Sequence, residues 1–491
     1  MLQEMSAALA VSRIPALPRT GLDPSAFAAQ GAAAAAAASA MPALSAYMSA
    51  AGTRAIPADA VEQTKLHVLD TLAAMVSGTE LPPGHVALDF ARLYKETTST
   101  VVGSTLLCGP IEAAFVNAML AHADETDDSH APSQSHPGCA VVPAALAVAE
   151  QLGVDGNRFM RAVAAGYDVG TRVTMALGVS AFQTETHISS HAIASLFGAA
   201  AAAASAAGLS ASQMRSVLDY AAQQASGTKA WQRDTDHIQK AFVFAGVGAR
   251  GGVMAAELAR LGATGVDDIL SGADNFLSVY GPHADAAKLV DGLGARYEVV
   301  RTNIKKWSVG SPIQAPLDAI ELMLKKRRFT ADDVRRVVVR VATSEGALVD
   351  DRDIPDICMQ HMVAIMLLDG TASFRAAHDK PRMSDPKVRS VRSRVDLVLD
   401  ADLEKLMPRR VANVTVTFND GTTLTERVDA VRGTTENPMA RAEVVAKCRD
   451  LMAPILGAAT CDRLIAQVLT LEQVGDVRAL RPLLQPGGRQ A

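Results

Sequence analysis

At 491 residues, 49% of them hydrophobic, the chain is long enough to bury a large core and to divide into two or more domains. Its formal net charge of −5 is near balance and makes no general case for a nucleic-acid partner. No run of about eighteen strongly apolar residues marks a membrane span, and the alanine tract over 31–40 is too short and too weakly apolar to be one.

Residues 1–41 carry Arg13 and Arg19 but no clean signal-peptide pattern, and they read as a disordered or partly helical Ala-rich extension. From Pro42 to about Gly292 the pattern is helical nearly throughout. Ile56–Ser77 places Val61, Leu66, Val68, Leu69, Leu72 and Val76 near a 3.6-residue period, with Pro57 in a first turn and Gly78 as a stop. Ile111–Ala123 and Ala140–Leu152 read as buried helices. Gly198–Ala207 is a run of small residues, a face that lets another helix approach closely. The five cysteines (Cys108, Cys139, Cys358, Cys448 and Cys461) are an odd number without metal-like spacing, which predicts a reduced, cytoplasmic protein.

After about Arg296 the character changes. Pro316–Lys326 is one more helix, and the basic run Lys325–Arg328 closes it as a solvated end with favourable dipole placement. Val334–Ala342 alternates as a strand, with Val337, Val339 and Val341 on one face. Val391–Leu399 is a further strand candidate. Val411–Phe418, the turn Asn419-Asp420-Gly421 and Thr422–Val428 form a hairpin. Glu443–Met452 returns to helix. The pattern predicts a mainly α fold. A large all-helical domain over 42–295 and 431–491 carries an inserted, smaller α+β lid domain over 296–430, and a cleft between the two is where a site belongs.

The segment Asn117–Gly138 carries the chemistry. His122, His130 and His136 stand with Asp124, Glu125, Asp127 and Asp128 inside fifteen residues. Carboxylates and imidazoles held together shift one another's pKa values, which enzymes use for proton transfer near neutral pH. The competing structural readings are helix capping by Asp127 or Asp128, a hydrogen-bonded role for His130, and a Lys240 that reaches to the surface. His378, Asp379 and Arg382 read as a structural or surface network. A divalent metal would also accept the ligand types of this segment, although no compact pair such as H-E-x-x-H is present. Gly246–Gly251 matches G-x-G-x-x-G with Asp267 about twenty residues on, but Phe242–Ala245 is a poor strand. Those glycines are better read as helix-packing positions.

This segment, continued as far as Gly156, resembles the signature of the MmgE/PrpD family. The resemblance extends through Phe197–Ser210, Lys240 with its glycine-rich continuation, Ile304–Ala319 and Leu367–Gly370. It implies a helical domain with an α+β lid, a homodimer, no required metal or organic cofactor, and a small di- or tricarboxylate as substrate. The implied chemistry is proton abstraction next to a carboxylate. A 2-methylcitrate dehydratase-like hydro-lyase ranks first, an iminodisuccinate epimerase-like isomerase second and a cis-aconitate decarboxylase-like enzyme third. A scaffold that has lost activity is the alternative of another class.

Matched position by position, the resemblance implies Lys240, His136, His187 or His191, Glu125 and Asp128 as catalytic residues. Ser129, His130, Lys305, His361 and Gln314 would bind substrate. Glu125 stands where the family usually has Asp. His187 and His191 compete for one histidine position, Gly310 and Gln314 stand where relatives often carry histidine, and His361 replaces a tyrosine.

Overall fold

The computed structural model describes residues 38–487 and is mainly α, with 61% helix and only small sheets. The extension expected over 1–41 lies outside the described residues up to position 37, and a helix over 38–50 follows it directly.

Two hydrophobic clusters organise the chain. The larger draws on residues between Ala40 and Ile304 and again between Met439 and Leu484. The smaller draws on residues between Trp307 and Val431. In the larger cluster the helix Ala58–Gly78 is buried almost all round, which explains why its apolar positions spread beyond a single stripe. Pro57 sits one position outside this helix, as its cap. The C-terminal helix Arg441–Leu456 returns to pack here, and Lys447 pairs with the buried Asp70 at 2.7 Å.

The small-residue face works as a packing surface. Gly198 lies on helix Ser190–Ala207, and Gly166 and Gly170 lie on helix Gly156–Leu177. A Cβ at Gly170 would meet the Ala194 carbonyl oxygen at 2.3 Å, so the two backbones touch where side chains would normally intervene. Helix Val247–Arg260 approaches the same face, and a Cβ at Gly252 would lie 2.4 Å from the Ala200 nitrogen. Ser190–Ala207 and Ile238–Arg260 are long and apolar enough to cross a membrane by composition, but 89% and 67% of their apolar windows are buried inside this fold.

The smaller cluster is built on a four-stranded sheet. With the two-residue strands β1 (Ser99–Thr100) and β2 (Leu107–Cys108) forming a separate pair, the main strands are β3 (Val334–Ala342), β4 (Val395–Asp400), β5 (Ala412–Phe418) and β6 (Thr423–Val428). Their order is β4-β3-β5-β6. β3 runs parallel to β4 and antiparallel to β5, and β5–β6 is an antiparallel hairpin. Val337, Val339 and Val341 are buried, as their alternation predicts. The strand expected over Val391–Leu399 begins four residues later. Pro386 opens a helix over Pro386–Arg392, and the Asp385 carboxylate accepts from the Lys387 and Val388 amides, so Val391 falls in that helix. Helix Ser311–Lys326 also starts earlier than expected, with Pro312 in its first turn and Pro316 inside it.

Candidate active site

The acidic segment runs between helix Pro110–Ala121 and helix Gly138–Leu152. It is pinned rather than solvated. Ser129 and Asn303 exchange backbone hydrogen bonds of 3.0 and 2.8 Å, His130 N donates to Ser135 O at 2.8 Å, and Lys447 Nζ donates to Thr126 O at 3.0 Å. Asp124, Glu125, Asp127 and Asp128 are all buried. Four carboxylates out of water require partners, and those partners define the site.

Glu125 accepts from Lys240 on one oxygen. Lys305 Nζ stands 3.3 Å from the other oxygen and 2.9 Å from the Glu125 carbonyl oxygen. Burial alone would push this carboxyl up, but the two ammonium groups outweigh it and hold it well below the usual range. The same balance raises the Lys305 pKa: burial works against the cation, and Glu125 and Asp127 overcome it. Asp127 lies between two imidazoles, with Nδ1 of His122 at 2.8 Å and Nδ1 of His136 at 3.2 Å. The His122 contact is a hydrogen bond, whereas His136 Nδ1 stands at ion-pair distance without one. Burial holds the His136 pKa below its ordinary value although Asp127 pulls the other way.

A π-turn places the aromatic wall. Within the helical stretch Ile238–Arg260, residues Phe242–Gly246 form a π-helix, a local widening that often marks functional positions. It presents the Phe244 ring to His191, stacked at 3.8 Å and 11°. Trp231 meets Phe244 edge-on at 4.7 Å, and Lys240 Nζ lies 5.1 Å from the Phe244 centroid and 5.6 Å from that of Trp231. Burial, then His136, Lys240 and His122, push the His191 pKa well down. His237 is pushed down to about 3 by burial and Lys240. His136, His191 and His237 are therefore neutral near pH 7.

These groups line a cleft of about 170 Å³. Glu125, His136, His191, Trp231, His237, Lys240 and Phe244 form one wall. Gly310, Pro312, Arg352, Ile354, Ile357 and Arg410 form the other, from the part of the chain that builds the smaller cluster. A second cavity shares His136, His191, Trp231 and Arg410 with it and extends past Ser129, His130 and Asn303.

Lys240, Glu125, His136, His191 and Lys305 thus come together, and Ser129 and His130 line the adjoining cavity. His187 does not join them. It ends helix Ser180–Thr186 in a left-handed conformation, exposed and outside both cavities, so the histidine of the cluster is His191. Asp128 is buried behind the loop and accepts from His67 Nδ1 at 2.8 Å, Tyr167 Oη at 2.5 Å and the Gly138 amide at 3.0 Å. Those bonds seat the following helix, the capping alternative, and leave Asp128 a positioning group rather than a catalytic one. His130 is tied to Ser133 Oγ at 2.7 Å and Glu298 at 3.2 Å. Gln314 spends its amide on the Trp307 and Val309 backbone, at 3.1, 2.7 and 2.9 Å. His361 is buried on helix Met359–Asp369, lines neither cavity, and is pushed down to about 4 by burial, then by Arg392 and Arg382. Gln314 is therefore structural, and His361 lies outside both cavities with neither ring nitrogen hydrogen-bonded among the described residues.

Sequence reasoning passed over Trp231, His237, Phe244, Arg352 and Arg410. His237 stands three residues before Lys240, a readable spacing, while the two arginines come from distant positions that no local pattern joins.

His122, Asp127 and His136 offer one ligand atom each within 4.8 Å of one another, the geometry of a small cation site. Asp127 is hydrogen-bonded to His122, stands 3.2 Å from His136 Nδ1 and has Lys305 Nζ 3.7 Å away, so an ammonium supplies positive charge beside it. The glycine motif Gly246–Gly251 follows a π-turn instead of a strand, which removes the context a dinucleotide fingerprint needs.

The MmgE/PrpD N-terminal domain matches residues 42–288, and the MmgE/PrpD C-terminal domain matches residues 307–473. The chain is 27% identical over 448 residues to the cis-aconitate decarboxylase of Homo sapiens, covering 87% of this chain and 90% of that one. Against the Mus musculus protein of the same name it is 26% identical, covering 87% and 89%. Against that of Aspergillus terreus it is 25% identical over 467 residues, covering 87% and 92%.

Proposed function

The chain belongs to the MmgE/PrpD family, and from that premise we propose that it is a lyase acting on a small polycarboxylate, with decarboxylation of a cis-aconitate-like tricarboxylate as its leading reaction. The resemblance alone ranked a 2-methylcitrate dehydratase-like hydro-lyase first. The similarity to proteins named cis-aconitate decarboxylase, over most of both chains, supports placing the decarboxylase first and the hydro-lyase second. The observation that carries the reading is the meeting of Lys240, His136 and His191 with Glu125 at one cleft, with the buried Lys305 also paired to Glu125.

In such a decarboxylation the bond between a methylene carbon and its carboxylate breaks, and carbon dioxide leaves. The electron pair of that bond forms a new carbon–carbon double bond. The pair of the old double bond takes a proton at its far carbon, so one proton is consumed for each carbon dioxide released. Negative charge builds up between the two events and needs fixed positive charge nearby. Lys240 is the proposed proton donor, with Lys305 holding Glu125 in place beside it. His191 and His136, neutral in the empty cleft, gain basicity when an anionic substrate enters and can then carry a proton. A hydro-lyase remains the second reading, because a neutral imidazole beside an ammonium would equally remove a proton and assist a leaving hydroxyl. The homodimer implied by the resemblance is part of the proposal, and sedimentation of the purified protein tests it.

Proton NMR in D₂O with cis-aconitate, 2-methylcitrate and iminodisuccinate separates the reactions. New vinyl signals from cis-aconitate with released carbon dioxide support the decarboxylase. Conversion of the 2-methylcitrate methyl doublet to an allylic methyl singlet, without carbon dioxide, supports the hydro-lyase. Exchange of a C–H signal without a new product supports an isomerase. No change with any acid overturns the lyase proposal.

A further inference from the structure

The cleft has two walls with unequal charge balance. Three cations line it: Lys240, Arg352 and Arg410. Lys240 is paired with Glu125, and Arg410 lies 2.6 Å from the buried Glu345. Arg352 forms no ion pair among the described residues. Its Nη1 has one long contact, 3.4 Å to the Leu348 carbonyl oxygen, which holds the side chain weakly. The acids beside it are engaged elsewhere. Asp350 accepts from Gln360 Nε2 at 2.6 Å, Asp351 pairs with Arg392, and Asp353 lines a separate surface hollow with Lys380, Arg389 and Arg392.

We infer that Arg352 is the anchor for a second carboxylate of the substrate, across the cleft from Lys240 and His136. The inference rests on the polycarboxylate reading above. A guanidinium is a planar fork that meets a carboxylate with two parallel hydrogen bonds. A cation with no carboxylate of its own chain is the one whose charge an incoming anion neutralises without first breaking an internal pair. The neighbouring wall is apolar, from Pro312, Ile354 and Ile357, which strengthens such a pair by excluding water. The ligand chemistry selected is an acid with at least two carboxylates, one toward Lys240 and one on Arg352. Monocarboxylates lack the second handle. Arg352 touches substrate away from the reacting bond, so it governs selection and affinity more than the chemical step.

Calorimetric titration of the full chain tests this, with cis-aconitate as the polycarboxylate and crotonate as a monocarboxylate. Arg352→Gln is expected to weaken cis-aconitate binding about 10- to 100-fold and leave crotonate binding unchanged, with Arg352→Lys recovering part of the loss. If turnover is measurable, KM rises in the glutamine variant while kcat changes little. Equal weakening of both acids, or unchanged cis-aconitate binding in the glutamine variant, overturns the assignment. Failure of the wild-type protein to bind any polycarboxylate overturns it too. Binding that depends on Arg352 without turnover overturns only the proposed reaction.

Discussion

His378 Nε2 lies 3.0 Å from Asp124 Oδ2, joining the end of helix Phe374–Ala377 to the acidic loop. Its Nδ1 donates to the Phe374 carbonyl oxygen at 2.7 Å. A ring that faces acceptors on both nitrogens is an imidazolium. Burial would lower its pKa, but Asp124, with Asp356 behind it, raises it to about 9. Asp356 itself is pushed up to about 7 by burial, against the pull of His378. The folded chain thus binds a proton at His378 more tightly than the unfolded one. The resulting stabilisation is complete below about pH 6.5 and disappears as pH rises through about 9, an effect on the order of 3 kcal/mol. Urea unfolding at pH 6 and pH 9.5 should show that loss in the wild type and much less of it in His378→Gln. Identical pH dependence in the two proteins would count against the contact.

Glu125 balances two ammonium groups of unequal burial. Lys305 is fully enclosed and Lys240 faces the cleft. Glu125→Gln leaves Lys240 without its carboxylate and Lys305 with only the more distant Asp127, and is expected to cost about 3–5 kcal/mol of stability. Lys240→Gln leaves Glu125 its Lys305 partner and is expected to cost about 1–2 kcal/mol. Chemical denaturation of both variants checks the order, and equal losses would contradict it.

His191 and His187 are four residues apart, but only His191 lines the cleft. His191→Ala and Lys240→Ala are each expected to lower kcat about 10²- to 10⁴-fold. His187→Ala, at an exposed helix end, should stay near the wild-type rate. Steady-state kinetics on the acid turned over decides this, and a large loss in His187→Ala would overturn the site geometry.

Two glycines should respond oppositely to a methyl group. At Gly252 it would lie 2.4 Å from the Ala200 nitrogen, a backbone atom that cannot yield, so Gly252→Ala should lose about 1–3 kcal/mol. At Gly310 the nearest atom is Ile357 Cγ2 at 3.5 Å. Gly310→Ala should fold normally and alter KM by narrowing the cleft. Thermal melts of the two variants, with kinetics on the second, provide the check.

Asp127 is held by His122, His136 and Lys305, an arrangement that already supplies its positive charge. Activity is therefore expected to survive dialysis against a strong chelator. Loss of activity restored by added divalent metal would reassign His122, Asp127 and His136 as ligands.

Much of the chemistry was legible in the local sequence. The crowding of acids and histidines over 122–136 announced mutual pKa shifts, and those acids are buried and paired. The resemblance matched Lys240 and Lys305 to the same site, where both meet Glu125. Where local patterns misled, a distant partner was responsible. Asp128 looked available until His67, Tyr167 and the Gly138 amide filled its acceptor positions. Gln314 looked like a ligand residue until the Trp307 and Val309 backbone took its amide.

The sequence by itself determined the mainly helical fold, the β5–β6 hairpin and the core face of β3. Periodicity, turn chemistry and alternation are properties of neighbouring residues, and backbone geometry converts them directly into structure. Only the tertiary structure decided between His187 and His191, and only it brought Arg352 and Arg410 to the cleft opposite Lys240. Those outcomes depend on which way each side chain points once two separate cores have packed. That direction is fixed by contacts between residues far apart in the chain, and no local pattern encodes it.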